Sequence, residues 1–222
     1  MDKILGIISE YNPFHFGHLY QLQESKKIVN PDYTVAVMSG NFVERGDAAI
    51  IDKWSRAEMA LKNGIDLVIE LPLLYSISSA ENFALGGIKI LDSLKMDTTL
   101  SFGSECGNLS ALEQIANVLY TEPKEYLSIL NHKLSSGVSF PKAREYALLM
   151  YLNDIRKFAN VLDEPNNILG IEYLKAIQSQ KSKIKAVTIK RNGEKYNSFD
   201  LDSKYSSATA IRHGLLNNID IK

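Results

Sequence analysis

The sequence predicts an α/β fold: a Rossmann-like parallel sheet covered by helices, with a helical insertion. Three observations carry that prediction. Short apolar, β-branched runs recur along the chain, each ending in turn residues, as strands buried on both faces require. Helical patterns alternate with them through short links, the signature of βαβ units. Between residues 108 and 160 the strand signals stop, and amphipathic helical patterns broken at Pro123, Gly137 and Pro141 take over.

In chain order, residues 4–9 (ILGIIS) read as the first strand and residues 18–29 as a helix with Leu19, Leu22 and Ile28 apolar among polar neighbours. Residues 33–38 (YTVAVM) form the second strand, closed by Ser39, Gly40 and Asn41. A long irregular loop leads to a helix over 53–63, stopped by Gly64. Residues 66–71 (DLVIEL) are the third strand, halted by Pro72; 80–94 is a helix and 98–102 (TTLSF) a fourth strand, followed by Gly103. After the 108–160 helices, a turn at DEPNN precedes a helix over 168–179, a last strand over 184–190 (IKAVTIK) and a last helix over 208–216. Residues 1–107 together with 161–217 are expected to form one catalytic domain, with 108–160 inserted into it.

Bulk properties exclude little. The 222 residues are 45% hydrophobic and 23% charged, with a formal net charge of -1, so neither nucleic acid nor a membrane surface is advertised globally. No apolar run approaches the roughly 20 residues that span a bilayer, and the amino terminus lacks a signal-peptide pattern. A single cysteine, Cys106, excludes an internal disulfide and suits a reducing compartment; the expected location is cytoplasmic.

The chemistry concentrates behind the first strand, in EYNPFHFGH (residues 10–18). In open α/β sheets, ligands sit at the carboxyl ends of strands, where loops enter helices. A helix amino terminus offers unpaired N–H groups and partial positive charge, so anions bind there. Gly17 lets a ligand approach the backbone, and His15 and His18, three apart, converge on one point at the helix start. Imidazoles donate to phosphate oxygens, and a protonated one adds charge. Two other readings stay open: that the histidines only cap the helix, or that they hold a metal. A helical metal pair wants i, i+4 spacing and a third ligand; none is evident, and no metal site is predicted.

The residues GIISEYNPFHFGHL (6–19) resemble the first signature of the nucleotidylyltransferase superfamily, in which an H-x-G-H loop holds the phosphates of ATP. SSATAIR (206–212) resembles its second signature, I-S-S-T-x-I-R, with Ser207, Thr209, Ile211 and Arg212 matching, Ser206 in place of Ile and Ala208 in place of Ser. Ser206 or Ser207 suits the N-cap of that helix. Gly103, Ser104 and Glu105 stand where that superfamily meets adenosine, with Glu in place of the more usual Asp. Five stretches in order, GIISEYNPFHFGHLYQL, VMSGNFVERGDAAIIDKWSRAEMAL, GIDLVIELP, NNILGIEYLKAI and SATAIR, are similar to the tRNA(Met) cytidine acetate ligase family.

That resemblance implies an enzyme that activates acetate with ATP to acetyl-adenylate and pyrophosphate, then acetylates N4 of the wobble cytidine of elongator tRNA(Met). It implies His15, His18 and Arg212 as catalytic groups, and an ATP site running through Ile7, Ile8, Ser9, Glu10, Tyr11, Asn12, Pro13, Phe14, His15, Phe16, Gly17, His18, Leu19 and Tyr20. Gly103, Asn167 (with Asn166 its rival), Arg191, Ser207, Thr209 and Arg212 complete it. Mg²⁺ is expected to arrive with ATP. Ser39, Gly40, Asn41 and Lys53, from the long loop, are candidates for the acetate pocket, while Lys53 and Arg56 are candidates for phosphate or RNA. No proton acceptor for acetyl transfer stands out; Asp200 and Asp202 lie near the second signature, and the KSKIK run (181–185) with Lys190 and Arg191 is a candidate RNA contact. The family's C-terminal helical tRNA-binding region is expected to be absent, which leaves tRNA recognition open, as is the oligomeric state. Two other functions also remain open: another adenylyltransferase acting on a small phosphorylated acceptor, and a non-catalytic nucleotide- or RNA-binding module.

Overall fold

A computed structural model describes residues 2–159, 161–191, 207–217 and 219. The elements run β1 (Lys3–Ser9), α1 (Phe16–Val29), β2 (Tyr33–Ser39), a short 3₁₀ turn (Glu44–Gly46), α2 (Lys53–Lys62), β3 (Leu67–Leu71), α3 (Leu73–Ser76), α4 (Ala80–Ser93) and β4 (Asp97–Ser104). Four helices follow, α5 (Leu109–Thr121), α6 (Lys124–Ser135), α7 (Phe140–Leu152) and α8 (Ile155–Phe158), then a 3₁₀ turn (Val161–Asp163), α9 (Pro165–Ser179), β5 (Lys185–Lys190) and α10 (Ala208–Leu216). Asp200, Asp202 and Ser206 lie outside the described residues.

The five strands form one sheet in the order β3-β2-β1-β4-β5, with every neighbouring pair parallel. β1 is therefore central, with β2 on one side and β4 on the other. Alternation along it sends Ile4 and Ile8 to one face and Leu5 and Ile7 to the other. The first face carries α4, α5 and α9, and its core includes Leu100 and Phe102 of β4, Phe83 and Ile88 of α4, and Ile171 and Tyr173 of α9. The second face is covered by Leu22 and Val29 of α1 and Ala60 of α2. Ala111, Leu112 and Ile115 of α5, Tyr126 of α6 and Leu148 of α7 belong to the same cluster as Leu100, so the helices of 108–160 extend the core on that face. Each such buried aliphatic side chain stabilises the fold by about 1.5–3 kcal/mol.

Two helices start earlier than the apolar periodicity suggests. α1 begins at Phe16 because His15 itself caps it. α9 begins at Pro165, where the fixed φ of proline suits a first helical turn. Both starts open at the carboxyl end of the sheet.

α4 lies against β1 through Gly87: a Cβ there would come 2.5 Å from Ile8 Cδ1. Gly87→Ala is expected to destabilise the protein by about 1–3 kcal/mol in urea unfolding. In an Ile8→Val background, which removes that Cδ1, the same substitution should cost less. Equal costs in the two backgrounds would show that the helix rides elsewhere.

Candidate active site

A cavity of about 280 Å³ opens at the carboxyl ends of β1 and β4. Of the site residues singled out in the sequence, it brings together Ile8, Ser9, Glu10, Tyr11, Asn12, His15, His18, Gly103, Asn166, Arg191, Ser207, Thr209 and Arg212. The others do not line it. Ile7 belongs to the core on the α1 face, Phe14 packs against that same layer and Phe16 is exposed. Pro13, Gly17, Leu19 and Tyr20 shape the loop and the helix behind the wall. Glu44, Gln21 and Tyr173 line the cavity without having been anticipated, as do the apolar Phe83, Phe102, Ile168 and Leu169. Gln21 had a signal, standing three residues beyond His18 on one helical face; Glu44 and Tyr173 had none in local spacing.

The two histidines cap their own helix. The Gly17 N–H donates to His15 Nδ1 at 3.0 Å, and the His15 N–H donates to His18 Nδ1 at 3.3 Å. An imidazole whose Nδ1 accepts a backbone proton carries its own proton on Nε2 when neutral, so each ring has Nε2–H as its remaining donor. The rings stack at 3.8 Å between centroids, and the Tyr11 ring meets His18 edge-on at 4.9 Å. Burial, reinforced by the Arg191 and Arg212 cations, lowers the His15 pKa to about 4. Burial, then His15 and Arg191, hold His18 well below the ordinary value. At neutral pH both are therefore neutral donors in the free protein, and the positive charge at the site comes from arginine. Tyr11 adopts the left-handed backbone conformation (φ 46), an uncommon state for a bulky residue and one found at functional loops.

Arg212 reaches from α10 across to the first loop. Its Nη1 donates to the Asn12 carbonyl at 2.8 Å and its Nη2 to Thr209 Oγ1 at 3.2 Å. Ser207 is the N-cap of α10, accepting from the Ala210 N–H at 3.0 Å. On the other side, Arg191 donates to Asn166 Oδ1 at 3.4 Å. A Cβ at Gly103 would stand 3.4 Å from Arg191 Cγ and narrow the space between strand end and guanidinium.

The Asn166/Asn167 rivalry has a geometric answer: Asn166 lines the cavity, whereas Asn167 is buried and accepts the Cys106 N–H at 3.1 Å. Glu105 is occupied as a cap. Its carboxylate accepts from Asn166 Nδ2 at 2.6 Å and from the Asn167 N–H at 2.9 Å, closing the start of α9, and it does not line the cavity.

The long loop is held by a buried cation. Arg56 is fully buried and donates to the carbonyls of Glu10, Gly40 and Ile51. It thereby ties the end of β1, the end of β2 and the loop into one wall, a positioning role in place of contact with phosphate or RNA. Asn12 adds a second tie by accepting the Ile50 N–H at 2.9 Å. Ser39, Gly40, Asn41 and Lys53 stand behind this wall. Ser39 is buried, the Asn41 side chain accepts the Lys53 N–H, Lys53 pairs with Glu70 at 2.6 Å, and Gly40 packs so closely on Glu70 that a Cβ would collide with it. Among the described residues no group of three His, Cys, Asp or Glu side chains is arranged to hold a metal ion, and no described helix is long and apolar enough to cross a membrane.

Comparison with known proteins identifies the family. The family model described as HIGH Nucleotidyl Transferase matches residues 2–221. The chain is 51% identical over 216 residues to the tRNA(Met) cytidine acetate ligase of Thermosipho melanesiensis, covering 97% of this chain and 51% of that protein. It is 55% identical over 209 residues to the protein of that name from Thermoanaerobacter sp. (strain X514), covering 94% and 52% respectively. The chain thus spans about half the length of the curated relatives it matches. Among solved structures, Thermotoga maritima TmcAL bound with alpha-thio ATP superposes with a TM-score of 0.86 at 43% identity, over 97% of this chain and 50% of that one. The apo form gives a TM-score of 0.90 at the same identity.

The lowered histidine pKa values have a consequence for stability. Below about pH 6.5 the unfolded chain binds protons that the folded histidines refuse, so stability is full above that pH and is lost as pH falls from there toward the folded values, about 4 for His15 and well below the ordinary value for His18. The urea midpoint should therefore fall between pH 7 and pH 5, and fall less steeply in His18→Asn, whose amide accepts the same N–H without titrating. Equal slopes in the two proteins would contradict the partly buried, neutral pair.

Proposed function

The chain belongs to the HIGH Nucleotidyl Transferase family, and from that premise we propose that it binds ATP in the cavity and activates acetate to acetyl-adenylate with release of pyrophosphate. We further propose that the acetyl group passes to N4 of the wobble cytidine of elongator tRNA(Met), the reaction that the names of its half-matched relatives suggest. The observation that carries the first step is the convergence, round one cavity at the carboxyl end of the sheet, of two imidazoles fixed as Nε2 donors and two guanidiniums from opposite sides. Acetate is an anion at neutral pH, so adenylation needs no general base. It needs in-line positioning and donors for charge on the phosphate oxygens.

In this reading His15 and His18 donate Nε2–H to the triphosphate, and Arg212 and Arg191 supply fixed charge. The amino terminus of α10, capped by Ser207, adds backbone N–H groups. Gly103 and Asn166 flank the nucleoside, and Phe102 and Leu169 supply apolar wall. Mg²⁺ would neutralise phosphate charge; the cavity's two carboxylates, Glu10 and Glu44, belong to no group of three possible ligands among the described residues, which fits an ion carried chiefly by the triphosphate and water in place of a carboxylate cage. The Ser39–Asn41 segment and Lys53 would then bear on acetate only through the wall they support. The domain division we propose remains 1–107 with 161–217 as the nucleotide-binding unit and 108–160 as the insertion; the proposed setting is the cytoplasm.

Pyrophosphate release from ATP and Mg²⁺ should depend on acetate and fall about 10²-fold or more in His18→Ala and in Arg212→Ala. Release that ignores acetate while ATP still binds would sink acetate activation and favour a phosphorylated acceptor.

A further inference from the structure

The cavity contains a half-buried carboxylate that phosphate binding does not explain. Glu10 follows directly on β1 and lines the cavity near the cationic groups that the triphosphate would occupy. Its Oε1 accepts the Glu44 N–H at 2.9 Å, and its backbone carbonyl is gripped by Arg56. Main chain and side chain are thus both held through the carbonyl and Oε1, and among the described residues no hydrogen bond to Oε2 is formed. The neighbouring cations do not pair with it. Arg56 directs its donors at three carbonyls, Arg212 directs its own at Asn12 and Thr209, and among the described residues no ion pair to Glu10 forms. A carboxylate in that position repels a phosphate and attracts a hydrogen-bond donor, above all an amine.

We propose that Glu10 is the catalytic proton acceptor of the acyl-transfer step, receiving through Oε2 a proton from the exocyclic amine of the acceptor base; this rests on the reading of the site as an adenylate-forming one. A carboxylate is the side chain that accepts from cytosine N4–H, so one group both orients the nucleophile and takes its proton. The amine nitrogen bonds to the acetyl carbonyl carbon. The carbon–oxygen bond to phosphate breaks, AMP leaves with its electron pair, and the surplus amine proton passes to Glu10 and from there to water. Burial raises the Glu10 pKa, opposed by the Glu44 N–H bond, while the Glu44 carboxylate raises it and the Arg212 and Arg56 cations lower it. Tyr173 of α9 faces the same carboxylates, and His15 and His18 of α1, neutral at pH 7, complete the titratable surroundings. A raised pKa makes Glu10 a stronger base than an ordinary carboxylate.

The test separates the two steps. Acetate-dependent ATP–pyrophosphate exchange reports adenylation; single-turnover transfer of radiolabelled acetyl to an anticodon stem-loop RNA bearing the wobble cytidine reports acyl transfer. Glu10→Gln, which can still accept the Glu44 N–H, should lose about 10²-fold more in transfer than it loses in exchange, with Glu10→Asp recovering part of that excess. The acid limb of the wild-type transfer profile should vanish in Glu10→Gln. Transfer at the wild-type rate in Glu10→Gln, or proportional loss of exchange and transfer, would overturn the assignment. Wild-type exchange without transfer would overturn it for this chain, and absence of exchange in the wild type would overturn the adenylation reading itself.

Discussion

The reciprocal cap at the start of α1 is the constraint on which the site depends. Two backbone N–H groups that any helix start leaves without partners are satisfied by the Nδ1 atoms of His15 and His18. That use of one nitrogen in each ring decides what the other can do. With Nδ1 accepting, Nε2 must carry the proton, and the rings are locked in a stack with no freedom to swap tautomers. An aspartate cap would hold the helix equally well and leave no outward donor. The capping role and the phosphate-binding role, rivals on spacing alone, are compatible because an imidazole has two nitrogens.

The rest of the cavity is assembled by long-range ties onto that helix start. Arg56 gathers carbonyls from the ends of β1 and β2 and from the long loop. Arg212 brings α10 onto the Asn12 carbonyl, and Glu105 fixes the start of α9 beside Arg191. Each tie joins a buried or partly buried charge to backbone, where such a group costs most if left unpaired. A site built this way is rigid before ligand arrives, and rigid donors are what charge development on phosphate rewards.

The sheet and most helices were legible in the sequence because buried parallel strands are continuous apolar runs, and 184–190 and 208–216 fall within one residue of the β5 and α10 observed. The convergence of His15, His18, Thr209 and Arg212 on one cavity was legible for a similar reason: they lie within short motifs whose spacing is set by one helical turn. What was not legible depends on tertiary neighbours. Nothing local distinguishes Arg56 as a buried anchor from Arg56 as a ligand, because its partners are Glu10 and Gly40. Asn166 and Asn167 differ only by the rotation of α9, which Glu105 sets from the turn after β4. The charge state of the histidines follows from burial beside Arg191 and Arg212, so the expectation that a protonated ring adds charge gives way to a neutral pair in the free protein.

The central claim is that this neutral pair presents Nε2–H to a triphosphate. Nitrogen-15 NMR of the histidine rings, with and without MgATP, tests it most directly. The account predicts unprotonated Nδ1 and protonated Nε2 at both His15 and His18 at pH 7, with both Nε2 signals shifting on nucleotide addition and the His15 pKa rising from about 4. Rings protonated on Nδ1, or signals indifferent to bound nucleotide, would contradict it.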